Sequence, residues 1–335
     1  MKILVTGGCG YLGSHTLIEL TKHATEICVV DNLINSDANV LVRVQKISKP
    51  AKKISFVNLD IRNFDNLLMV FANFNPDAVI HFAGLKSVSE STKEPLEYYE
   101  VNFVGTLNLL KAMDKVGCKN IIFSSSATVY GKPVYLPFDE NHPTAPVNPY
   151  GWSKLMVEYL LRDWASLELD RKVVALRYFN PVGAHSSGEI GESVVGNPGN
   201  IMPIIARVAI GKQDFLSIFG NDYDTSDGTG ERDYVHVEDL AEAHVSSLIM
   251  NLNSNGGFRI LNIGTGKGLT VLELVKEFTE SSGVHIPYKF AERRAGDISR
   301  YWADVSLAQK VLNWTATKDI KRMCEDTWRW SSKAR

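Results

Sequence analysis

The sequence predicts an α/β protein built on a doubly wound parallel sheet, followed by a smaller mixed α/β region. Three observations lead there. Short, β-branched apolar runs alternate with helix-length segments through the first half of the chain. Those runs are continuously apolar, as in strands covered on both faces. The first of them passes through glycines directly into a helix. The length of 335 residues, with 44% hydrophobic and 22% charged, suits one large or two modest globular domains.

The first strand is expected at Ile3–Val5 and the first helix at Leu12–Thr21, joined by Thr6-Gly7-Gly8-Cys9-Gly10-Tyr11-Leu12-Gly13. Gly7 and Gly10 permit a tight turn and let backbone approach a pyrophosphate, and Gly13 lets helix pack on strand. The helix N-terminus offers free N–H groups and a positive dipole end to phosphates. The second strand, Ile27–Val30, ends in Asp31, 18 residues after Gly13. A carboxylate there accepts both adenosine ribose hydroxyls and repels a 2′-phosphate, and no arginine accompanies Asn32-Leu33-Ile34. Together these features make a Rossmann-type site for NAD rather than NADP.

After a helix at Val40–Ser48, the third strand, Ile54–Val57, leads to Asp60-Ile61. Asp60 suits an adenine edge, with an ordinary helix cap as the alternative; the next helix is expected at Phe64–Phe71. The fourth strand, Ala78–His81, runs into Phe82-Ala83-Gly84-Leu85-Lys86, whose backbone would pass under the cofactor. Lys86 can reach the nicotinamide ribose or stay a surface lysine. A helix at Tyr98–Val116 precedes the fifth strand, Ile121–Phe123, which ends in Ser124-Ser125-Ser126. A hydroxyl at that strand end can reach a substrate oxygen, and Ser126 is the choice; strand-end capping would account for Ser124 and Ser125. The helix Gly151–Leu167 opens with Tyr150-Gly151-Trp152-Ser153-Lys154. Spacing i, i+4 puts phenol and ammonium on one face, 24 residues beyond Ser126. A cationic lysine nearby and a positively charged nicotinamide both favour the Tyr150 phenolate and would fit it as a general base near neutral pH. The sixth strand is Val173–Leu176.

Beyond residue 180 the rhythm changes. Asn180–Pro203 holds five glycines, three prolines and three asparagines, and is expected to be irregular and functional. Helices follow at Val237–Leu252 and Leu272–Ser281, and short strands at Arg259–Ile263 and Tyr288–Ala291. The expected division is a nucleotide-binding domain over 1–180 and a mainly substrate-binding domain over 181–335, with about 236–265 returning to the first.

The charge balance of 36 basic to 38 acidic residues, with no basic run, argues against nucleic acid or an anionic membrane as partner. No apolar run reaches a membrane span, and Lys2–Thr6 is too short for a signal peptide, so a cytoplasmic protein is expected. Cys9, Cys28, Cys118 and Cys324 lack metal-ligand spacing, so neither a zinc site nor any other metal is expected, and buried free thiols are.

The segments Thr6–Ser14, Phe82–Lys86, Ser124–Gly131, Asn148–Lys154, Tyr178–His185, Ile218–Tyr234 and Arg293–Asp304 resemble the extended short-chain dehydrogenase/reductase family, specifically its nucleotide-sugar 4-epimerases. The likeness runs from Lys2 to Trp330. It implies reversible 4-epimerisation of UDP-glucose and UDP-galactose: Tyr150 takes the 4-hydroxyl proton, tightly bound NAD takes and returns the C4 hydride, and a 4-keto sugar turns over in between. Ser126 and Lys154 orient and polarise these groups. It adds Tyr11, Leu12, Asn32, Asn102, Ser124 and Tyr178 to the cofactor contacts. Its UDP-sugar contacts match Lys86, Phe179, Asn180, Asn200, Phe219, Arg232, Arg294 and Asp297, with Ser126 and Tyr150. Surface ion pairing remains an alternative for each arginine, and core packing for Phe179. Tyr301 matches a position where bulk goes with sugars lacking an N-acetyl group. Sister 4,6-dehydratases need an Asp-Glu pair where this chain has Ala127-Thr128, so elimination lacks its acid and base. A decarboxylase would need a cation for a substrate carboxylate, and none stands out. A homodimer through the Tyr98–Val116 and Gly151–Leu167 helices is implied, although their apolar faces could equally be core. The alternatives are epimerases of N-acetylated or pentose UDP-sugars, and a non-catalytic NAD-bound sensor or scaffold.

Overall fold

The computed structural model describes residues 1–48, 53–193, 199–294 and 297–333. The first half runs β1 (Lys2–Thr6), α1 (Tyr11–Leu20), β2 (Glu26–Asp31), α2 (Asn39–Ile47), β3 (Lys53–Asn58), α3 (Phe64–Phe74), β4 (Ala78–His81), the single turns α4 (Val88–Ser91) and α5 (Pro95–Tyr98), α6 (Gly105–Val116), β5 (Asn120–Ser124), α7 (Pro149–Ser166) and β6 (Lys172–Tyr178). The second runs β7 (Asn180–Val182), α8 (Ile201–Ala209), β8 (Leu216–Phe219), β9 (Glu231–Arg232), β10 (Tyr234–His236), α9 (Val237–Leu252), β11 (Gly257–Ile263), β12 (Leu269–Thr270), α10 (Val271–Ser282), β13 (Tyr288–Ala291), β14 (Arg300–Tyr301), α11 (Ser306–Leu312) and α12 (Ile320–Lys333).

Seven parallel strands form the central sheet in the order β11-β6-β5-β4-β1-β2-β3. The apolar runs are continuous because helices cover both faces. One face packs Leu17 and Leu20 of α1, Val44 of α2 and Leu240 and Leu248 of α9. The other packs Leu67 and Phe71 of α3, Leu109 of α6, and Val157 and Leu161 of α7. The strand order reverses between β1 and β4, opening a crevice beyond their carboxyl ends.

The expected helix over Tyr98–Val116 is divided. Tyr98 ends α5, Tyr99–Val104 form a wider π-helical turn, and α6 begins at Gly105. Such turns recur beside functional sites, and this one carries Asn102.

The irregular stretch expected over Asn180–Pro203 is corrected at both ends. β7 pairs in parallel with β10, from Asn180↔Tyr234 to Val182↔His236. α8 starts at Ile201, with Pro203 in its first turn, where a missing N–H breaks no helical bond. Within that stretch, residues 194–198 lie outside the described residues. α9 and β11 return the chain to the large sheet, where β11 pairs with β6 over its full length. Met202, Ile205, Leu274, Phe278 and Met323 form a third core among α8, α10 and α12. A fourth joins Ala127, Tyr130, Phe138, Leu155, Phe179 and Tyr301, directly below the candidate site.

Candidate active site

At the crevice lies a cavity of about 760 Å³. It is lined by Gly7, Gly10, Tyr11, Leu12, Gly13, Asp31, Asn32, Asp60, Ile61, Phe82, Ala83, Gly84, Lys86, Ser124, Tyr150, Lys154 and Tyr178. All of these were expected on the cofactor; of that set, only Asn102 lies elsewhere. Its side chain instead receives Leu85 N–H (2.8 Å) and donates to Leu85 O (3.1 Å) and Ser153 Oγ (2.9 Å). Asn102 thus ties the wall after β4 to the start of α7.

The glycine loop is shaped for close approach. Gly7 has a φ of +69°, and a Cβ there would lie 2.6 Å from Ala83 N. A Cβ on Gly13 would lie 2.4 Å from Gly7 O, so α1 can sit this close only on glycine. Gly10 caps α1 without a side-chain bond, and no acid lies in its first turn. The positive helix end is left to the cavity. Asp31 is held from three sides: Oδ2 accepts Cys9 N–H (3.0 Å), and Oδ1 accepts Leu33 N–H (3.0 Å) and Ser36 Oγ–H (2.9 Å). A cradle that Cβ atoms would fill, an open helix end and a fixed carboxylate fit a dinucleotide. The first arginine after Asp31, Arg43, lines a small adjoining cavity with Ser36 and Asp37, its guanidinium 5.7 Å from the Trp330 ring.

Asp60 does not cap α3; Asn63 does, accepting Asn66 N–H. Asp60 instead binds the Arg62 guanidinium and Asn32 Nδ2, and the Arg62 bonds bring its carboxyl down to about 2. Lys86 is more than half exposed and pairs with Glu192 at 2.8 Å.

The serines after β5 divide their roles unlike the expectation. Ser124 Oγ donates to Tyr178 Oη (3.1 Å), and Ser125 Oγ to Glu158 Oε1 (2.5 Å). Ser126 is the capping residue, at the head of a 3₁₀ turn over Ala127–Val129. Its Oγ accepts Thr128 N–H (3.2 Å) and Thr128 Oγ1–H (2.9 Å). With its lone pairs used, its own proton is free to turn toward Tyr150 and favour its charged form.

Tyr150 and Lys154 open α7, with Asn148 as N-cap and Pro149 in the first turn. Lys154 Nζ donates to Ser124 O (2.9 Å) and lies 5.9 Å from the Tyr150 ring centre. Burial brings the Lys154 ammonium down to about 8, against a smaller upward pull from Glu158. Burial also drives the Tyr150 phenol well up, with the nearby Tyr178 adding to it and the Ser126 bond opposing. Burial is thus the largest influence on this phenol from the chain by itself, and the expected phenolate counts on a positively charged nicotinamide as well. A cation would have to join the cavity before Tyr150 could act as a base.

Beneath this pair, Arg177 of β6 grips Glu158 of α7, with Nη2–Oε2 at 2.6 Å and both side chains almost fully buried. Asp233, also buried, accepts Thr265 N–H (2.8 Å), Gly266 N–H (3.0 Å) and Ala303 N–H (3.2 Å), while its backbone holds Tyr301 O and Asn180 N–H. Sequence reading missed Glu158, Arg177, Asp233 and the orienting hydroxyl of Thr128. The bonds of Arg177 to Glu158 and of Asp233 span long sequence separations, which no local spacing shows.

Of the expected substrate residues, Asn200 joins Lys86 and Tyr150 in the cavity wall, whereas Ser126, Phe179, Asn180, Phe219, Arg232, Arg294, Asp297 and Tyr301 lie outside it. Arg294 stands 4.7 Å from the Phe219 ring and donates to Asp297 Oδ2 at 3.0 Å, the ion pair allowed for it above. Arg232 donates to two backbone carbonyls, Glu231 O (2.9 Å) and Ser299 O (3.4 Å). Tyr301 is 8% exposed and packs on Phe138 and Phe179, ring centres 5.0 and 5.1 Å away. Its hydroxyl is buried without a hydrogen-bond partner among the described residues. The four cysteines are free and buried. Elsewhere His236, Glu238 and Asp326 cluster, but His236 Nδ1 accepts Glu238 N–H, so its Nε2 carries the proton facing Asp326. Arg322 and Arg329 also pair with Asp326, which leaves no room in charge for a cation.

Fold and site together define a dinucleotide-binding protein of the extended short-chain dehydrogenase/reductase class. A family model described as GDP-mannose 4,6 dehydratase matches residues 4–327. UDP-glucose 4-epimerase of Bacillus subtilis (strain 168) is 52% identical over 99% of this chain and 97% of its own. The crystal structure of UDP-glucose 4-epimerase from Stenotrophomonas maltophila, with bound NAD and formylated UDP-arabinopyranose, superposes with a TM-score of 0.96 at 46% identity, covering 100% of this chain and 98% of that one. That from Bifidobacterium longum, in complex with NAD⁺ and UDP, does so at 0.95 and 46% identity, covering 99% and 98%. The chain belongs to this extended short-chain dehydrogenase/reductase family and, within it, to the UDP-glucose 4-epimerases.

Proposed function

We propose that this protein interconverts UDP-glucose and UDP-galactose by reversible 4-epimerisation, using NAD that it retains. The observation that carries this is that Tyr150 and Lys154 stand on the wall that the glycine loop and Asp31 begin, with Ser126 beside Tyr150 just behind it and Ala127 and Thr128 in place of a dehydratase's acids. NAD, when bound, accepts the C4 hydride and returns it, and its nicotinamide brings positive charge near Tyr150. The residues of the chain do the rest. The glycine loop and the N-terminus of α1 bind the pyrophosphate, and Asp31 binds the adenosine ribose. Tyr150 holds the 4-hydroxyl proton and gives it back, stabilised as phenolate by the Ser126 proton and the Lys154 ammonium. Thr128 cannot exchange a proton at neutral pH and serves by orienting Ser126, so the keto sugar keeps its remaining hydroxyls.

Arg232, Arg294, Asp297, Asn180, Asn200 and Phe219 are proposed to take the UDP moiety, the arginines facing phosphate as bidentate donors. Phe179 and Tyr301 are proposed to line the sugar pocket, the bulk of Tyr301 favouring sugars without an N-acetyl group. The free hydroxyl of Tyr301 supports this, since it awaits an acceptor such as a sugar oxygen. A cytoplasmic homodimer in galactose metabolism completes the proposal. No helix among the described residues is long and apolar enough to cross a membrane. Exposed Trp152 and Tyr159 lie seven residues apart on one face of α7, which suits a helical dimer contact.

The test is purified protein given UDP-galactose and no cofactor, with UDP-glucose formation followed. Turnover that falls at least ~10²-fold in Tyr150→Phe while NAD stays bound supports the proposal. No wild-type turnover, even with NAD supplied, overturns it in favour of another nucleotide sugar.

A further inference from the structure

We infer that Glu192 is a positioning residue of this site, holding Lys86 and Asn200 in place from one carboxylate. The inference rests on the function proposed above. Glu192 lines the cavity, and its side chain is only 10% exposed. Its Oε1 accepts Lys86 Nζ at 2.8 Å and Asn200 Nδ2 at 3.3 Å. Lys86 follows β4 and Asn200 precedes α8, so the carboxylate bridges the cofactor wall and the edge of the substrate region.

Three features make Glu192 the anchor and its partners the anchored. First, Lys86 is 56% exposed, so its long chain is free to wander unless held. Second, Asn200 is the N-cap of α8, where an amide usually accepts an N–H of the first turn, yet it makes no such bond. Its amide is turned to Glu192 instead, which fixes which end faces the cavity. Third, Glu192 is itself fastened: Trp330 Nε1 of α12 donates to its carbonyl at 3.4 Å, and a Cβ on the adjacent Gly191 would stand 2.4 Å from the Trp330 ring. Of the other cations of the wall, Arg62 is committed to Asp60 and Glu97 and Lys154 to Ser124 O, and it is Lys86, not Lys93, that Glu192 pairs with. Lys86 is therefore the cation whose aim Glu192 decides.

The experiment measures NAD retained after purification, UDP affinity by calorimetry, and kcat and KM for UDP-galactose. The variants are Glu192→Ala, Glu192→Gln, Lys86→Ala, Asn200→Ala, and Glu192→Ala paired with each of the last two. Loss of one charged hydrogen-bond anchor should weaken UDP binding and raise KM about tenfold, with kcat changed less than about threefold. Glu192→Gln, which still accepts both bonds, should recover most of that loss and covers the case in which the alanine variant folds poorly. Adding Glu192→Ala to Asn200→Ala should weaken UDP binding no further, and adding it to Lys86→Ala should lower NAD retention no further. Multiplying losses in both pairs, or wild-type values throughout in Glu192→Ala, would overturn the inference. A wild type that binds UDP but turns over no UDP-galactose would defeat the proposed reaction, while the UDP and NAD readouts still decide the role of Glu192.

Discussion

Lys154 shows what the site costs. Its ammonium is buried with one hydrogen-bond acceptor, Ser124 O, and falls from the ordinary 10.5 to about 8. The lysine of the unfolded chain keeps its proton up to its ordinary value, so between the two the unfolded state binds more protons and stability rises with pH. Below about pH 8 the full penalty of roughly 3 kcal/mol is present; above about 10.5 it has gone. Replacement by an apolar side chain of similar reach removes that penalty and loses the bond to Ser124, worth roughly 1 kcal/mol. Lys154→Met should therefore melt a few degrees above wild type at pH 7 while turning over almost nothing, and scanning calorimetry from pH 7 to 10.5 should show the gap closing. Equal melting at every pH would mean the amine is not desolvated. Tyr301, proposed to line the sugar pocket, gives a second prediction. Tyr301 fills its space against Phe138 and Phe179, so Tyr301→Cys should raise kcat/KM for UDP-N-acetylglucosamine at least about tenfold. Efficient use of that substrate by the wild type would dismiss Tyr301 as the gate.

At the level of elements, the β1–α1 junction tolerates no side chain at Gly13. Gly13→Ala would drive a Cβ against the backbone oxygen of Gly7 at 2.4 Å, and neither atom can move unless the backbone shifts. The expected result is a loss of roughly 2 kcal/mol or more, read from urea unfolding, together with loss of copurified NAD. Unchanged NAD content would show that helix and strand separate without harm to the cradle. This junction was legible beforehand because everything it needs is local: glycine spacing, a strand before and a helix after. The same held for Tyr150 and Lys154, one helical turn apart on α7. The π-helical turn at Tyr99–Val104 was not legible, because its sequence has ordinary helix periodicity and its widening goes with tertiary bonds from Asn102. β7, β9, β10 and β14 were missed for a related reason. Each is two or three residues long and is held through Asp233 or by a partner strand distant in sequence. The division of labour among Ser124, Ser125 and Ser126 likewise depends on Tyr178, Glu158 and Thr128, two of which arrive from other elements.

For the whole molecule, the proposed dimer contact on α7 can be tested without touching the site. Tyr159 is 44% exposed and faces away from the cavity, and its ring carries Arg162 at 4.9 Å. Tyr159→Asp would place an uncompensated charge in an apolar contact, and light scattering should then report the monomer mass at micromolar concentration. A variant that stays dimeric, or a wild type already monomeric, removes α7 from the interface. The order of the sheet has a further consequence, for how the chain is made. β6 ends at Tyr178, but the strand that covers its free edge begins at Gly257, 79 positions later. Synthesis at about 5–20 residues per second leaves that edge uncovered for seconds on every ribosome. Throughout that interval a row of unpaired amides and carbonyls, backed by an apolar face, stands ready to accept a strand from any neighbouring nascent chain. The protein therefore meets this hazard of misassembly until its last quarter is being made, and release from it depends on α9 and β11 folding back onto a sheet already in place.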